Sequence, residues 1–358
     1  MSTPMSHHWT LTRYLIEERR RFPAAGGDLN ALLLDLSLAC KAVARTVAFG
    51  ELNEPAEAAG GSRGARESLC VLGNRLFEQV NDYNGKVAGM SSLHAEQPRQ
   101  LPAGCVRGKY LLLFDPLDGS GNTDVNVSTG SIFSILRAPS DVVESGRDVA
   151  EADFLQPGST QVAAGYALYG PSTMLVLSVG NGVAGFTLNP VLGDFVLTHP
   201  AIRIPADTCE FAIDTSNSRH WALPVRRYVD ECLAGRPGVR NKDFNMRWIA
   251  STVAETHRIL MRGGVFLHPR DTREPAEAGQ MRLLYEANPI GFLIEQAGGR
   301  ASTGRRPVLD VAPCELGQRV GLVFGSRHEV ERIERYHVEP TDADRGTPLF
   351  AERGLFRN

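Results

Sequence analysis

Apolar positions recur every three to four residues through the first third of the chain, which is the period of a helix with one buried face. Leu11, Tyr14, Leu15 and Phe22 form one stripe, with Glu17, Glu18, Arg19, Arg20 and Arg21 opposite, so a helix is predicted over 11–22. The 23–27 stretch ends it. Asp28 reads as the N-cap of a second helix over 29–49, striped by Leu29, Leu32, Leu33, Leu36, Ala39 and Val43. The 52–64 stretch has no period and reads as a surface loop. A third helix is predicted over 69–80.

From Lys86 the period shortens. Segments 87–91, 110–114, 131–137, 161–168, 174–179, 183–188 and 193–197 read as strands. Asn181-Gly182 is a two-residue hairpin signal, because both central positions of such a turn take positive φ. After Pro200 the elements alternate. Helices are predicted over 224–233, 247–261 and 282–296, the second closed by Gly263-Gly264 and the third by Gly298-Gly299. Short strands are predicted at 265–268 and 320–324. Ser326 and Glu329 have capping-box spacing ahead of a last helix through Tyr336. No internal repeat is present. Strand-rich and βα-alternating stretches together predict a layered α/β sandwich of two halves, 1–200 and 201–340, followed by a polar tail over 341–358.

Charge and composition remove whole classes of function. Of 358 residues, 38 are Lys or Arg and 41 are Asp or Glu, and 42% are hydrophobic. This is neither a disordered chain nor one with the single-sign field of a nucleic-acid binder. No apolar run approaches the ~18 residues of a membrane span. The N-terminus lacks the apolar core of a secretory signal. Six scattered cysteines without C-x-x-C spacing suggest a reducing compartment, so a cytoplasmic location is expected.

One segment concentrates candidate chemistry: Lys109-Tyr-Leu-Leu-Leu-Phe-Asp115-Pro-Leu-Asp118-Gly-Ser-Gly-Asn-Thr-Asp124-Val-Asn126. A buried strand runs into Asp115, Pro116 fixes a turn, and Asp118 follows. Two carboxylates and the Leu117 carbonyl can converge on one hard cation, for which Mg²⁺ is suited by its preference for oxygen ligands. The amides of Gly119, Ser120 and Gly121 can then cradle a phosphate.

This run resembles the metal-binding signature of the lithium-sensitive sugar phosphatases, and the wider sequence resembles class 1 fructose-1,6-bisphosphatase. Segments 10–18, 107–135, 245–257, 263–273 and 282–310, with the helix around Cys40, carry the likeness. It implies Mg²⁺-dependent hydrolysis of a sugar bisphosphate, with Mn²⁺ as a substitute ion, in a homotetramer. By the same likeness Asp115, the Leu117 carbonyl, Asp118 and Glu286 are metal ligands, and Asp115 and Asp118 carry catalysis. Asp118 to Gly121 hold the substrate, and Arg247 reaches a neighbouring subunit's 6-phosphate. Lys109, Tyr110 and residues 26–30 correspond to parts of the family's AMP site.

The departures from the family pattern fall in the site. Leu93 and His94 stand where the family has two glutamates, a register supported by Pro98 and Pro102. Cys70 stands for a water-activating aspartate, and Ala65 lies near the place of another acidic residue. On the sugar side Asp214 replaces an asparagine, His268 a tyrosine, Gln280 a lysine and Thr252 a methionine. In this register Leu93 and Cys70 are expected to face the Asp115, Asp118 and Glu286 carboxylates. Two alternatives follow: a weak or inactive paralogue that binds sugar phosphate or joins an active subunit, and a phosphatase of another sugar phosphate. Cys70 and His94 are also softer ligands than carboxylates, so Zn²⁺ held by that pair with Asp115 or Asp118 is a further option.

Overall fold

The computed structural model describes residues 9–21, 26–50, 61–273 and 279–339, and of 61–68 only the backbone. The first three helices are α1 (Leu11–Arg21), α2 (Gly27–Phe49) and α3 (Gly61–Asn81). A meander follows: β1 (Val87–Ser92), β2 (Tyr110–Asp118), β3 (Thr129–Arg137), β4 (Ala163–Tyr169), β5 (Thr173–Ser178), β6 (Val183–Asn189) and β7 (Asp194–Ile202). Two short helices, α4 (Ser140–Ser145) and α5 (Glu151–Phe154), interrupt it between β3 and β4. The seven strands pair in chain order, β1 with β2 in parallel and every later pair antiparallel.

The second sheet has the order β12-β14-β10-β8-β9. Its strands are β8 (Glu210–Ile213), β9 (Asn245–Met246), β10 (Val265–His268), β12 (Arg300–Ser302) and β14 (Leu322–Gly325). A separate two-stranded ribbon joins β11 (Met281–Arg282) to β13 (Arg319–Val320). The helices of this half are α6 (Leu223–Leu233), α7 (Thr252–Arg262), α8 (Asn288–Gln296) and α9 (Arg327–Val338).

Burial explains the layering. Leu32, Leu36, Cys40 and Phe77 from α2 and α3 pack on one face of the first sheet, with Leu112, Phe114 and Phe186. The other face, through Ile132, Tyr166 and Val176, meets Val253, Ile259 and Leu293 of α7 and α8. These helices also cover Ala212, Phe266 and Phe324 of the second sheet. Its outer face buries Phe211 and Leu267 against Tyr228 of α6 and Ile333 of α9. The result is helix, sheet, helix, sheet, helix. Strands β1 to β5 are buried along nearly their whole length because both of their faces are covered.

Several sequence expectations are corrected. Gly26, not Asp28, is the N-cap of α2; Asp28 sits in its first turn. Helix α3 begins at Gly61, so the predicted 52–64 loop is shortened, and residues 51–60 lie outside the described ones. The β5–β6 loop spans four residues, with positive φ at Gly180 and Gly182 and not at Asn181. The predicted 247–261 helix starts only at Thr252, after the N-cap Ser251. The predicted 282–296 helix is composite: a strand residue, a π-turn over Leu283–Ala287, then α8. Ser326 and Glu329 form no capping box. The Ser326 hydroxyl takes the Gly264 amide instead, at 3.2 Å. Glu329 turns inward to Arg240 at 2.6 and 2.7 Å, and the Tyr228 hydroxyl donates to it at 2.8 Å. The Arg240 and Glu329 side chains are only 3% and 2% exposed. In place of the predicted capping box, Glu329 is half of a buried ion pair. Phe22 and the 341–358 tail lie outside the described residues.

Candidate metal centre

Strand β2 delivers both aspartates. All nine of its residues are buried. Opposite it on β3, Asp115 pairs with Ile132 and Asp118 with Gly130, so β2 takes three steps where β3 takes two. That extra residue is a β-bulge, which re-aims side chains at a strand end. The Ser131 hydroxyl donates to the Pro116 carbonyl at 2.6 Å, and the Leu117 amide donates to Asp115 Oδ1 at 3.1 Å. Helix α3 presses on the bulge at Gly73, where a Cβ would lie 3.3 Å from that of Pro116. Beyond the strand, Gly119 takes φ +70 and turns the chain into a 3₁₀ segment over Ser120–Val125.

The third carboxylate comes from the second half. Glu286 lies on the π-turn, and its Oε2 accepts from the Arg282 amide at 2.6 Å. One ligand oxygen from each of Asp115, Asp118 and Glu286 lies within 4.8 Å of the other two. Burial raises all three carboxyls. Asp115 is pushed well up by burial, then by the charges of Asp118 and Glu286. Glu286 is pushed up to about 7 by burial and by Asp118. Asp118 is also raised by burial, but the Val253 amide and the Thr252 and Ser251 groups oppose this. Carboxylates that repel one another in a dry pocket gain from a shared cation, and an all-oxygen donor set suits a hard divalent ion such as Mg²⁺. The residues therefore fit a metal.

Asp118 also receives help that the sequence analysis did not find. The Val253 amide donates to its Oδ2 at 2.9 Å, and the Ser251 hydroxyl approaches at 3.4 Å. Ser251 simultaneously accepts from the Ala254 amide as the cap of α7. A serine ahead of an apolar helical run was the available signal. Thr252, noted only as a departure, lies close enough to Asp118 to oppose the rise of its carboxyl pKa.

The remaining predicted residues divide. Ser92 of β1 lies opposite Phe114, so the chain leaves β1 beside Asp115. His94 follows that path, and its Nε2 is 3.9 Å from Asp115 Oδ1. Burial lowers its pKa. Leu93 does not join the carboxylates; it packs against the cluster of Leu284, Tyr285 and Leu316. Cys70 packs against the core under α2 and α3 and is not in the carboxylate group. A Zn²⁺ site made jointly by Cys70 and His94 is therefore not assembled. The Ala65 side chain lies outside the described residues.

Arg247 is not on a helix. It follows β9 and lies 3.4 Å from Glu210, its side chain 54% exposed. Asp214 caps a 3₁₀ turn, accepting from the Ser216 amide and hydroxyl and from Asn217. It shares a small recess with His268, Trp221 and Arg273. Gln280 is exposed. Lys109 meets Asp28 of α2 at 3.2 Å, so the residues matched to the AMP site do come together.

A bulged strand end that gathers carboxylates from two stacked α/β halves defines a protein of the sugar-phosphatase class. The solved fructose-1,6-bisphosphatase of Leishmania major superposes with a TM-score of 0.82 in its holo form and 0.81 in its apo form. Each is 34% identical and covers 93% of this chain and 100% of its own. The family profiles "Fructose-1-6-bisphosphatase, N-terminal domain" and "Fructose-1-6-bisphosphatase, C-terminal domain" match residues 9–200 and 204–338. A class 1 fructose-1,6-bisphosphatase of Hydrogenophilus thermoluteolus is 60% identical over 357 residues, covering 99% of this chain and 98% of the relative. One from Methylibium petroleiphilum is 59% identical over 350 residues, covering 97% of each. The chain belongs to the fructose-1,6-bisphosphatase family.

Proposed function

We propose that the protein hydrolyses the 1-phosphate of fructose 1,6-bisphosphate in an Mg²⁺-dependent reaction, releasing fructose 6-phosphate and phosphate, as a step of carbohydrate metabolism. The convergence of Asp115, Asp118 and Glu286 at the bulged end of β2 carries this reading. Bound divalent ions, Mn²⁺ being able to replace Mg²⁺, supply an activated water and neutralise the phosphoryl and leaving oxygens. The chain does the rest. Asp115, Asp118, Glu286 and the Leu117 carbonyl hold the ions. Asp118, fixed by α7, keeps its orientation while Gly119, Ser120 and Gly121 present amides to the phosphate. Arg247, half-exposed beside Glu210, suits a 6-phosphate offered by a neighbour in a homotetramer, since a planar guanidinium matches phosphate oxygens. The cytoplasm suits six cysteines that are all free thiols. No helix among the described residues is long and apolar enough to cross a membrane.

A second reading has its own support. Only three carboxylates gather among the described residues, and the position beside Asp115 that the resemblance gives to glutamate is the imidazole of His94. Fewer negative charges hold the ions less firmly, which favours a weak paralogue. Phosphate release from fructose 1,6-bisphosphate with saturating Mg²⁺ or Mn²⁺ separates the two. Turnover of ~1–100 s⁻¹, within the common enzyme range, supports the first reading and removes the second. No turnover in the native chain, with a gain in a Cys70→Asp/Leu93→Glu/His94→Glu variant, does the reverse.

A further inference from the structure

We infer that Ser131 is a positioning residue, itself held by Tyr169: the pair fixes the Pro116–Leu117 peptide plane and, through it, the direction of the Asp115 carboxylate. The inference rests on the proposed function, in which Asp115 is a metal ligand.

The geometry starts from one peptide unit. The Pro116 carbonyl and the Leu117 amide belong to the same planar group, which lies in the bulge between the two aspartates. Its oxygen accepts from the Ser131 hydroxyl at 2.6 Å, and its N–H donates to Asp115 Oδ1 at 3.1 Å. A plane held at both edges cannot tilt without breaking one bond or the other. The sheet ladder does not hold it, because the β2–β3 register skips Pro116 and Leu117, and proline has no amide to give. A side chain therefore replaces the ladder at this point. Through one peptide, Asp115 is tied to Ser131 on the neighbouring strand.

Tyr169 fixes the direction of that side chain. Ser131 has one hydroxyl proton, and a carbonyl only accepts, so the proton goes to Pro116. The Tyr169 hydroxyl, 2.6 Å from Ser131 Oγ, must then be the donor of the second bond. Burial holds the Tyr169 pKa well above its usual value, so the proton stays in place. The contact is diagonal across two strands. Ser131 pairs with Ala167 of β4, and Tyr169 lies two residues further along the same face. Both side chains are buried, and Tyr169 shares its core with Cys40 of α2.

The consequence is preorganisation. Three buried carboxylates that repel one another tend to turn apart when no cation is bound. A direction imposed on Asp115 beforehand lowers the cost of assembling the centre, as supporting hydrogen bonds do for metal ligands in general. Loss of the Ser131 hydroxyl orphans the Pro116 carbonyl and frees the plane.

The test titrates the metal-free full chain with Mn²⁺ and follows the electron paramagnetic resonance signal of the free ion, with thermal melting of each variant alongside. Ser131→Ala is expected to weaken Mn²⁺ binding about tenfold and Tyr169→Phe about threefold. Ser131→Thr, which keeps the hydroxyl, should bind as the native chain does. Tyr166→Phe is the control. Its hydroxyl meets His257 at 2.8 Å, and it is a buried residue of the same strand that packs in the core on the other face, so it should melt lower and bind Mn²⁺ normally. Native Mn²⁺ affinity in folded Ser131→Ala and Tyr169→Phe overturns the inference and leaves the carboxylate site standing. So does an equal loss in Tyr166→Phe. Should Ser131→Ala not fold, Tyr169→Phe decides alone by the same criterion. Failure of the native chain to bind Mn²⁺ overturns the reading of the carboxylates as well.

Discussion

Removing a carboxylate from the metal centre should make the metal-free protein more stable. The perturbation is Glu286→Gln. Glu286 has its carboxyl pushed from 4.5 up to about 7 by burial and by Asp118. Below about pH 4.5 the group holds its proton in both folded and unfolded chains and contributes nothing. As pH rises toward 7 the unfolded chain ionises first, so folding loses stability, and above 7 the loss is complete. At about 1.4 kcal/mol per pKa unit the cost is about 3 kcal/mol. Glutamine carries no charge, and its carbonyl can still accept the Arg282 amide that Glu286 accepts at 2.6 Å. An unfolding entropy of about 2.1 cal/mol/K per residue over 358 residues converts this to about 4 °C. Calorimetry on chelator-treated protein should therefore show Glu286→Gln melting about 4 °C above the native chain at pH 8 and level with it at pH 4.5. Saturating divalent metal at pH 8 should reverse the order, because only the native centre keeps all its ligands. A variant that melts lower without metal at pH 8, or gains equally at both pH values, refutes the electrostatic account.

Two further outcomes follow from the same physics. Arg240→Met leaves Glu329 buried with the Tyr228 hydroxyl, at 2.8 Å, and a more distant cation in Lys242, at 3.4 Å, and should cost about 3–5 kcal/mol in urea unfolding; Arg240→Met/Glu329→Leu should recover most of it. Gly119→Ala should cost about 1–2 kcal/mol for its left-handed backbone. The new Cβ would also meet Ser251 Oγ at 3.1 Å, displacing a donor to Asp118, so phosphate release should fall at least tenfold; an unchanged kcat/KM would remove Gly119 from the site.

The aspartates were readable because they are neighbours in sequence and share one strand. Glu286 was readable only through resemblance, since a π-turn over 283–287 has no period distinct from that of a helix. The tie from Asp118 to Ser251 and Val253 spans 133 and 135 residues, and no local pattern encodes such a pairing. Likewise the spacing of Ser326 and Glu329 suggested a cap, but Glu329 pairs with Arg240, 89 residues away in sequence, which no local spacing encodes. Helix starts were missed for two reasons: at Thr252 the distant Asp118 takes the Val253 amide, and at Gly61 the sequence is low in apolar residues and shows no helical period. Register at the end of β1 was legible in part. It brought the 93–94 segment to the neighbourhood of the carboxylates, but it is His94, and not the expected Leu93 or Cys70, that lies near Asp115; Leu93 packs toward Leu284 and Tyr285.

Asp118 sits at the end of one sheet and caps a helix whose other face lies on the second. The centre is in that sense a seam. Neither half holds all three carboxylates alone, since Asp115 and Asp118 come from β2 and Glu286 from the π-turn beyond Arg282. A cation seated there would therefore join the two halves by ligands from both, as a rivet joins two plates.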